Sequence, residues 1–339
     1  MQKRILVLGG TGAMGVYLIP KLRERGYLVT CVSLDDIKSD DPDLIYIKGN
    51  AKDEEFREKL LAPGWDCIVD FMIYRTPEFK EVYKSFLEKT GQYIYLSSYR
   101  VYANEEHPIR ETSPRLLDVS KNEVYINATG GLEDYSLYKA RGEEILKASG
   151  YDNWTAIRPA ITFSKRRFQL VTLEADLVVG RTMKGKKLVL PEAALDGEAT
   201  MSWAGDVAEM IARLCFNQRA FKEIFTVATS EHNKWGEVAK IYNKLIGLEY
   251  VATDIDKYVE LWVGNPNALN ARWQLMYDRM FDRIIDNSKI LEYTGLKQSE
   301  LTTLHDGLAR ELSALPKDYA WNPLPEANAR MDAYIKSLE

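Results

Sequence analysis

The first fifteen residues constrain this chain more than any other stretch. Ile5, Leu6, Val7 and Leu8 form a short apolar run that ends at once in Gly9-Gly10-Thr11-Gly12-Ala13-Met14-Gly15. Beyond the glycines, Val16, Leu18, Ile19 and Leu22 recur at helical spacing up to Gly26. The order strand, glycine turn, helix is what a dinucleotide pyrophosphate site requires, because a helix N-terminus offers unpaired N–H groups and glycines let the backbone approach the phosphates. Two registers fit, Gly10/Gly12/Gly15 and Gly9/Gly12/Gly15. Pro20 falls inside the helix and predicts a kink or a freed carbonyl.

The rest of the first half alternates in the same sense. Strands are expected at Leu28 to Leu34, Leu44 to Ile47, Cys67 to Phe71, Tyr93 to Leu96 and Trp154 to Arg158, with a helix from Pro77 to about Lys89. Such alternation predicts an α/β fold with a doubly wound parallel sheet of the Rossmann type, whose ligands gather at the carboxyl ends of the strands. The expected division is 1–160 as the dinucleotide-binding domain, with strands near 200–228 returning to it, and 161–339 as a smaller substrate lobe. In the second half an apolar helix-like run is read around Leu170 to Val179, a helix capped by Asp206, a strand from Glu223 to Ala228, and helices from Trp235 to Leu245 and Ser299 to Leu312. Asp286-Asn287-Ser288-Lys289 reads as a further helix start, with Asp286 or Ser288 as cap.

Composition narrows the function classes. A formal charge of −5 gives no electrostatic footprint for nucleic acid or for an anionic membrane, so neither partner is expected. The three cysteines, Cys31, Cys67 and Cys215, lie far apart in apolar stretches, and the three histidines are scattered. Buried free thiols in a reducing cytoplasm, and no metal site, are the expectation. The apolar run after Gln2-Lys3-Arg4 is too short for a signal peptide.

Chemistry is suggested by order. Tyr135 and Lys139 share one face of a helix, and Ser98 follows directly on the fifth strand. A tyrosine serving as base near neutrality needs its pKa lowered by roughly two to three units, about 3–4 kcal/mol, which a lysine and an oxidised nicotinamide ring together can supply. Ser98 would bond the reacting oxygen. The Tyr-x-x-x-Lys spacing also occurs at Tyr17/Lys21 and Tyr293/Lys297, but only Tyr135/Lys139 stands after the glycine turn and Ser98 and before the sixth strand. At the other end of the cofactor, Ser33 occupies the position where an acid is expected to take the ribose hydroxyls, and Asp35 and Asp36 follow it. The acids favour NAD, while Ser33 and Lys38 leave NADP open. Asn50 is a candidate for the adenine edge. Arg166 and Arg167, and the pair Arg279/Arg283, are candidates to clamp a substrate diphosphate, against the bland reading of solvated charge.

With Gly9/Gly12/Gly15, Ser97-Ser98-Tyr99-Arg100-Val101-Tyr102, Pro108-Ile109-Arg110-Glu111-Thr112, Tyr135/Lys139, Ile157-Arg158-Pro159 and Trp203 to Ala208 in place, the chain resembles the extended short-chain dehydrogenase/reductases, the NAD-dependent epimerase/dehydratase family. The resemblance implies a Rossmann domain with a seven-stranded parallel sheet and a C-terminal substrate lobe. It implies bound NAD(P), held in the turn by Gly9, Gly12, Ala13, Met14 and Gly15, a nucleotide-sugar substrate, and often a homodimer. It also makes Ser98, Tyr135 and Lys139 catalytic, with Lys139 additionally holding the nicotinamide ribose. Sugar 4,6-dehydratases of the family place an Asp-Glu pair where this chain has Tyr99 and Arg100, which disfavours dehydration. The expected function is oxidation of a sugar-nucleotide hydroxyl, 4-epimerase-like first. A dehydrogenase or reductase of another small carbonyl compound is the alternative, and a non-catalytic cofactor-sensing or RNA-binding relative is the rival.

Overall fold

The computed structural model describes residues 2–165, 167–316 and 318–339. Six strands follow the expected alternation: β1 (Arg4–Leu8), β2 (Leu28–Ser33), β3 (Leu44–Lys48), β4 (Cys67–Asp70), β5 (Tyr93–Leu96) and β6 (Trp154–Ile157). A late strand, Glu223–Phe225, pairs with β6, and the seven run parallel in the order Glu223–Phe225, β6, β5, β4, β1, β2, β3. Covered on both faces, the central strands β4, β5 and β6 are buried along their whole length and mostly apolar. Ile5 and Val7 enter one core, against helix α1 (Gly15–Glu24) and helix Ala204–Leu214, while Leu6 and Leu8 enter the opposite one, against helix Thr76–Glu88. The strand order reverses between β1 and β4, and that switch point is where an open α/β sheet leaves a crevice.

Local chemistry sets the helices. Leu18, Ile19 and Leu22 are the buried stripe of α1, and Pro20 lies on its exposed side, so the helix runs through to Glu24 with one backbone bond fewer. The helix Tyr135–Ala148 starts where Asp134 caps it, the carboxylate accepting from Ser136 N at 2.9 Å. Gly142 brings this helix close to β5, since a Cβ there would lie 2.1 Å from Tyr95 Oη. One residue on, Glu143 is wholly buried and ion-paired to Arg158, with Arg158 Nε to Oε1 at 2.8 Å and Nη2 to Oε2 at 2.6 Å. Ser97 Oγ donates to the same carboxylate. Burial alone would push this carboxyl up, but the Arg158 charge and these hydrogen bonds outweigh it and hold Glu143 below its usual range.

The second half departs from expectation in several places. The run from Leu170 to Val179 is not one helix: Leu170 and Leu173 exchange backbone bonds in a turn with Val171 at φ 54°, and the helix is Ala175–Thr182. Asp206 does not cap its helix. Trp203 stands at that position, and Asp206, in the first turn, accepts from Thr302 N at 2.6 Å, spending its carboxylate on a neighbouring segment. The helix expected from Ser299 is Leu304–Ser313, begun by Thr303, whose hydroxyl accepts from Asp306 N. Helix Ser288–Thr294 has Asn287 before it, with Asp286 Oδ1 accepting from Ser288 N at 3.0 Å. Short parallel pairs, Ile161–Phe163 with Met201–Trp203 and Leu188–Pro191 with Tyr250–Thr253, build the smaller part. The three cysteines are free and buried. Among the described residues no helix is long and apolar enough to cross a membrane.

The buried Glu143–Arg158 pair yields a direct test. Glu143→Ala leaves Arg158 uncompensated and is expected to lower the unfolding free energy by about 3–5 kcal/mol in urea denaturation. A loss below about 1 kcal/mol, the usual size for an exposed pair, would contradict the account.

Candidate active site

The glycine turn is built by steric necessity. Gly9 has φ +70°, and its N–H donates to Val32 O at 2.8 Å, locking the turn to β2. A Cβ on Gly15 would lie 2.2 Å from Gly10 O, and one on Gly10 would lie 2.7 Å from Cys31 Sγ. A Cβ on Gly12 would meet only Gly9 O, at 3.4 Å, and Gly12 is exposed. Gly10 and Gly15 therefore serve packing, and Gly12 faces open space. The helix that follows carries no acid in its first turn and no capping side chain. The N–H groups of Ala13 and Met14 have no hydrogen-bond partner among the described residues. Orphaned amides at a positive helix end, beside a glycine that leaves room, fit a dinucleotide pyrophosphate.

At the far end of β2, Ser33 is half-buried and its Oγ accepts from Asp35 N at 3.1 Å, while Asp35 is exposed. Asp36 pairs with Lys48 at 3.6 Å. Asn50 is exposed, and its Oδ1 accepts from Lys52 N at 3.1 Å, which leaves the side-chain amide free to donate.

Ser98, Tyr135 and Lys139 come together from β5 and from the first turns of helix Tyr135–Ala148. Ser98 is buried, and its Oγ accepts from Arg100 N at 3.2 Å. Tyr135 is half-buried and lines a cavity of about 350 Å³ with Ser98, Leu96, Phe71 and Met14, so the glycine turn and the end of β5 border one space. Burial raises the Tyr135 phenol above its ordinary value, against the lowering charges of Arg100 and Arg167 and a Ser98 hydrogen bond. Lys139 is fully buried, with Nζ 5.6 Å from the Tyr135 ring and donating to Leu96 O at 2.6 Å. Its burial pulls the ammonium down to about 8, although the charges of Asp70 and Glu143 oppose this.

The arginines divide. Arg166 lies outside the described residues. Arg167 and Arg279 line the cavity with Tyr135. Arg283 does not. It is 1% exposed, and its guanidinium is used on Asp278, on Tyr102 O at 3.0 Å and on Tyr277 O at 3.1 Å, so it is a strut and is closed to a substrate. Nor is Arg279 solvated charge: it is 3% exposed and donates to Asp278 at 2.5 Å, to Tyr99 Oη at 2.8 Å and to Val171 O at 2.8 Å. Sequence reasoning missed Arg100 as a cavity residue. It was visible only as the residue standing in place of a dehydratase glutamate, and its guanidinium lies 5.3 Å from the Tyr135 ring.

No family model matches the chain. Among curated proteins it is 24% identical, over 261 residues, to the chloroplast stem-loop binding protein of 41 kDa b of Arabidopsis thaliana, the match covering 73% of this chain and 64% of that protein. The chain thus matches less than two thirds of that relative's length. Among solved structures, an epimerase of Methanothermobacter thermautotrophicus superposes with TM-score 0.68 at 14% identity, covering 92% of each chain. The dTDP-glucose 4,6-dehydratase of Bacillus anthracis in complex with NAD gives 0.67 at 18%, covering 94% of this chain and 98% of that one. UDP-glucose 4-epimerase of Thermus thermophilus in complex with NAD gives 0.63 at 15%, covering 92% and 100%. The seven-stranded order, the glycine turn and these likenesses give the chain the fold of the extended short-chain dehydrogenase/reductases, the NAD-dependent epimerases and dehydratases.

Proposed function

We propose that the protein is an NAD(P)-dependent enzyme that oxidises a hydroxyl of a nucleotide sugar, working as a 4-epimerase. The observation that carries this reading is the single cavity bordered by Met14 of the glycine turn, Ser98 and Tyr135, with Lys139 one helical turn beneath the tyrosine. NAD-bound neighbours with the same fold support the cofactor.

In this reading Gly12, Ala13 and Met14 face the pyrophosphate, Gly9 and Gly15 give the turn its shape and its packing, and Ser33, Asp35 and Asn50 face the adenosine end. A bound NAD(P) would supply the acceptor and donor of the sugar-carbon hydride. Tyr135 Oη takes the hydroxyl proton as the C–H bond breaks, and gives it back when the keto sugar is reduced from its other face. Ser98 donates to the reacting oxygen and keeps it beside the phenol. Burial raises Tyr135 in the cofactor-free protein against the charges of Arg100 and Arg167, and the positive ring of an oxidised cofactor, with Lys139 5.6 Å from the phenol ring, would add to the lowering side. Arg167 and Arg279 hold the substrate diphosphate. Tyr99 and Arg100 supply no acid–base pair at neighbouring carbons, so water is not eliminated.

A second reading follows from the name of the Arabidopsis relative, a stem-loop binding protein. Binding of a stem-loop RNA with no exchange of hydride on any nucleotide sugar would favour it.

Three measurements test the enzyme reading. Tyr135→Phe is expected to lose turnover by at least about a hundredfold while still binding NAD(P), followed by reduced-nicotinamide absorbance and by calorimetry; full turnover in the variant would sink the mechanism. Gly12→Val is expected to keep the thermal midpoint and lose cofactor binding, whereas Gly15→Ala loses stability first. The reverse pattern would show that Gly12 does not face the cofactor. Lys139 tests the electrostatics. Its folded pKa, about 8, lies below that of the unfolded chain, so the folded state carries a buried charge below pH 8 and is relieved of it as pH rises. The stability of Lys139→Met relative to the parent, measured without cofactor, is therefore expected to fall from pH 7 to pH 10, and a difference independent of pH would contradict a depressed Lys139.

A further inference from the structure

We infer that Arg100 makes the cavity selective for a substrate bearing a carboxylate on the carbon next to the one that carries the reacting hydroxyl, as in a uronic acid. The inference rests on the nucleotide-sugar reading above and names the kind of sugar.

β5 ends in the turn Tyr99–Val101, which lays Arg100 over the Tyr135 ring and into the cavity, its side chain 13% exposed. Its two ion pairs are long: Nη2 lies 3.3 Å from Asp134 and Nε 3.5 Å from Asp278, where a charge-assisted bond is about 2.7–2.9 Å. The Nε, although buried, makes no hydrogen bond. Both aspartates are engaged more closely elsewhere. Asp134 accepts from Ser136 N at 2.9 Å and from Ser136 Oγ at 2.8 Å, and Asp278 takes Arg279 at 2.5 Å and Arg283 at 3.2 Å. Arg100, Arg279 and Arg283 thus share the carboxylates of Asp134 and Asp278, leaving positive charge in excess. Arg167, at the same cavity, meets Glu174 only at 3.8 Å and adds to it. Positive charge out of water is costly unless an anion completes it, and a guanidinium fork matches a carboxylate.

Geometry separates this anion from the diphosphate. In a pyranose oxidised at C4 the diphosphate hangs from C1, across the ring, whereas the carboxylate of a uronic acid hangs from C5, next to the reacting carbon. Arg100 stands at the tyrosine that takes the proton, and so meets the near group.

The test is titration calorimetry of the NAD-loaded protein with UDP-glucuronate and UDP-glucose as probes. The parent is expected to bind UDP-glucuronate at least about tenfold more tightly. Arg100→Gln should bring the two probes to within about twofold by weakening UDP-glucuronate, and Arg100→Lys, which keeps the charge and loses the fork, should retain only part of the preference. Thermal unfolding shows whether each variant is folded, and Arg100→Lys carries the test if Arg100→Gln is not. Equal binding of the two probes by the parent, or an undiminished preference in the folded variants, overturns this inference and leaves the nucleotide-sugar reading standing. Binding of neither probe overturns both.

Discussion

The carboxylate of Glu143 is the point on which the site depends. It sits in the third turn of helix Tyr135–Ala148 and is held by Ser97 from the end of β5 and by Arg158 from the end of β6, so one buried charge fastens the helix to two adjacent strand ends. Ser98 is the neighbour of Ser97, and Lys139 lies one helical turn before Glu143. Fixing Glu143 therefore fixes the distance between the serine and the tyrosine–lysine face. A misplacement of about an ångström there would cost an oxidoreductase far more in rate than in stability.

Around that anchor the charges are arranged in layers. Lys139 is buried and donates to a backbone carbonyl, with the carboxylates of Asp70 and Glu143 keeping part of its charge in place. The second cation beside Tyr135 is Arg100, paired with Asp134, which also caps the helix that carries the tyrosine. The capping residue and the cavity cation are thus one linked unit, and two cations stand near the Tyr135 ring, Arg100 at 5.3 Å and Lys139 at 5.6 Å from its centre. Burial still outweighs these charges and keeps the phenol above its ordinary value, and further positive charge would shift that balance downward.

What could be read from the sequence was what depends on neighbours in the chain. The glycine turn, the first six strands and the Tyr135/Lys139 face are local patterns, and the fold follows them. Order along the chain singled out Ser98 and Tyr135, which the structure brings to one cavity. The burial of Arg279 and Arg283 was not legible, because a basic residue near the surface and one buried against a carboxylate look alike in a string of letters. Asp278 stands beside Arg279 in sequence, yet the backbone carbonyls that complete both guanidiniums come from Tyr102 and Val171, far away in the chain. Asp206 fails as a cap for the same reason, its bond going to Thr302. The break at Val171, with its positive φ, lies in a run whose apolar spacing alone reads as helix.

The central claim is that the glycine turn and Tyr135 are two ends of one cofactor site. A crystal structure of the protein grown with NAD tests it most directly. The account predicts the pyrophosphate against the amides of Ala13 and Met14, with the nicotinamide ring beside Tyr135 and facing the cavity that Arg100 lines. A dinucleotide whose nicotinamide lies away from Tyr135, or a turn that stays empty at saturating NAD and NADP, would contradict it.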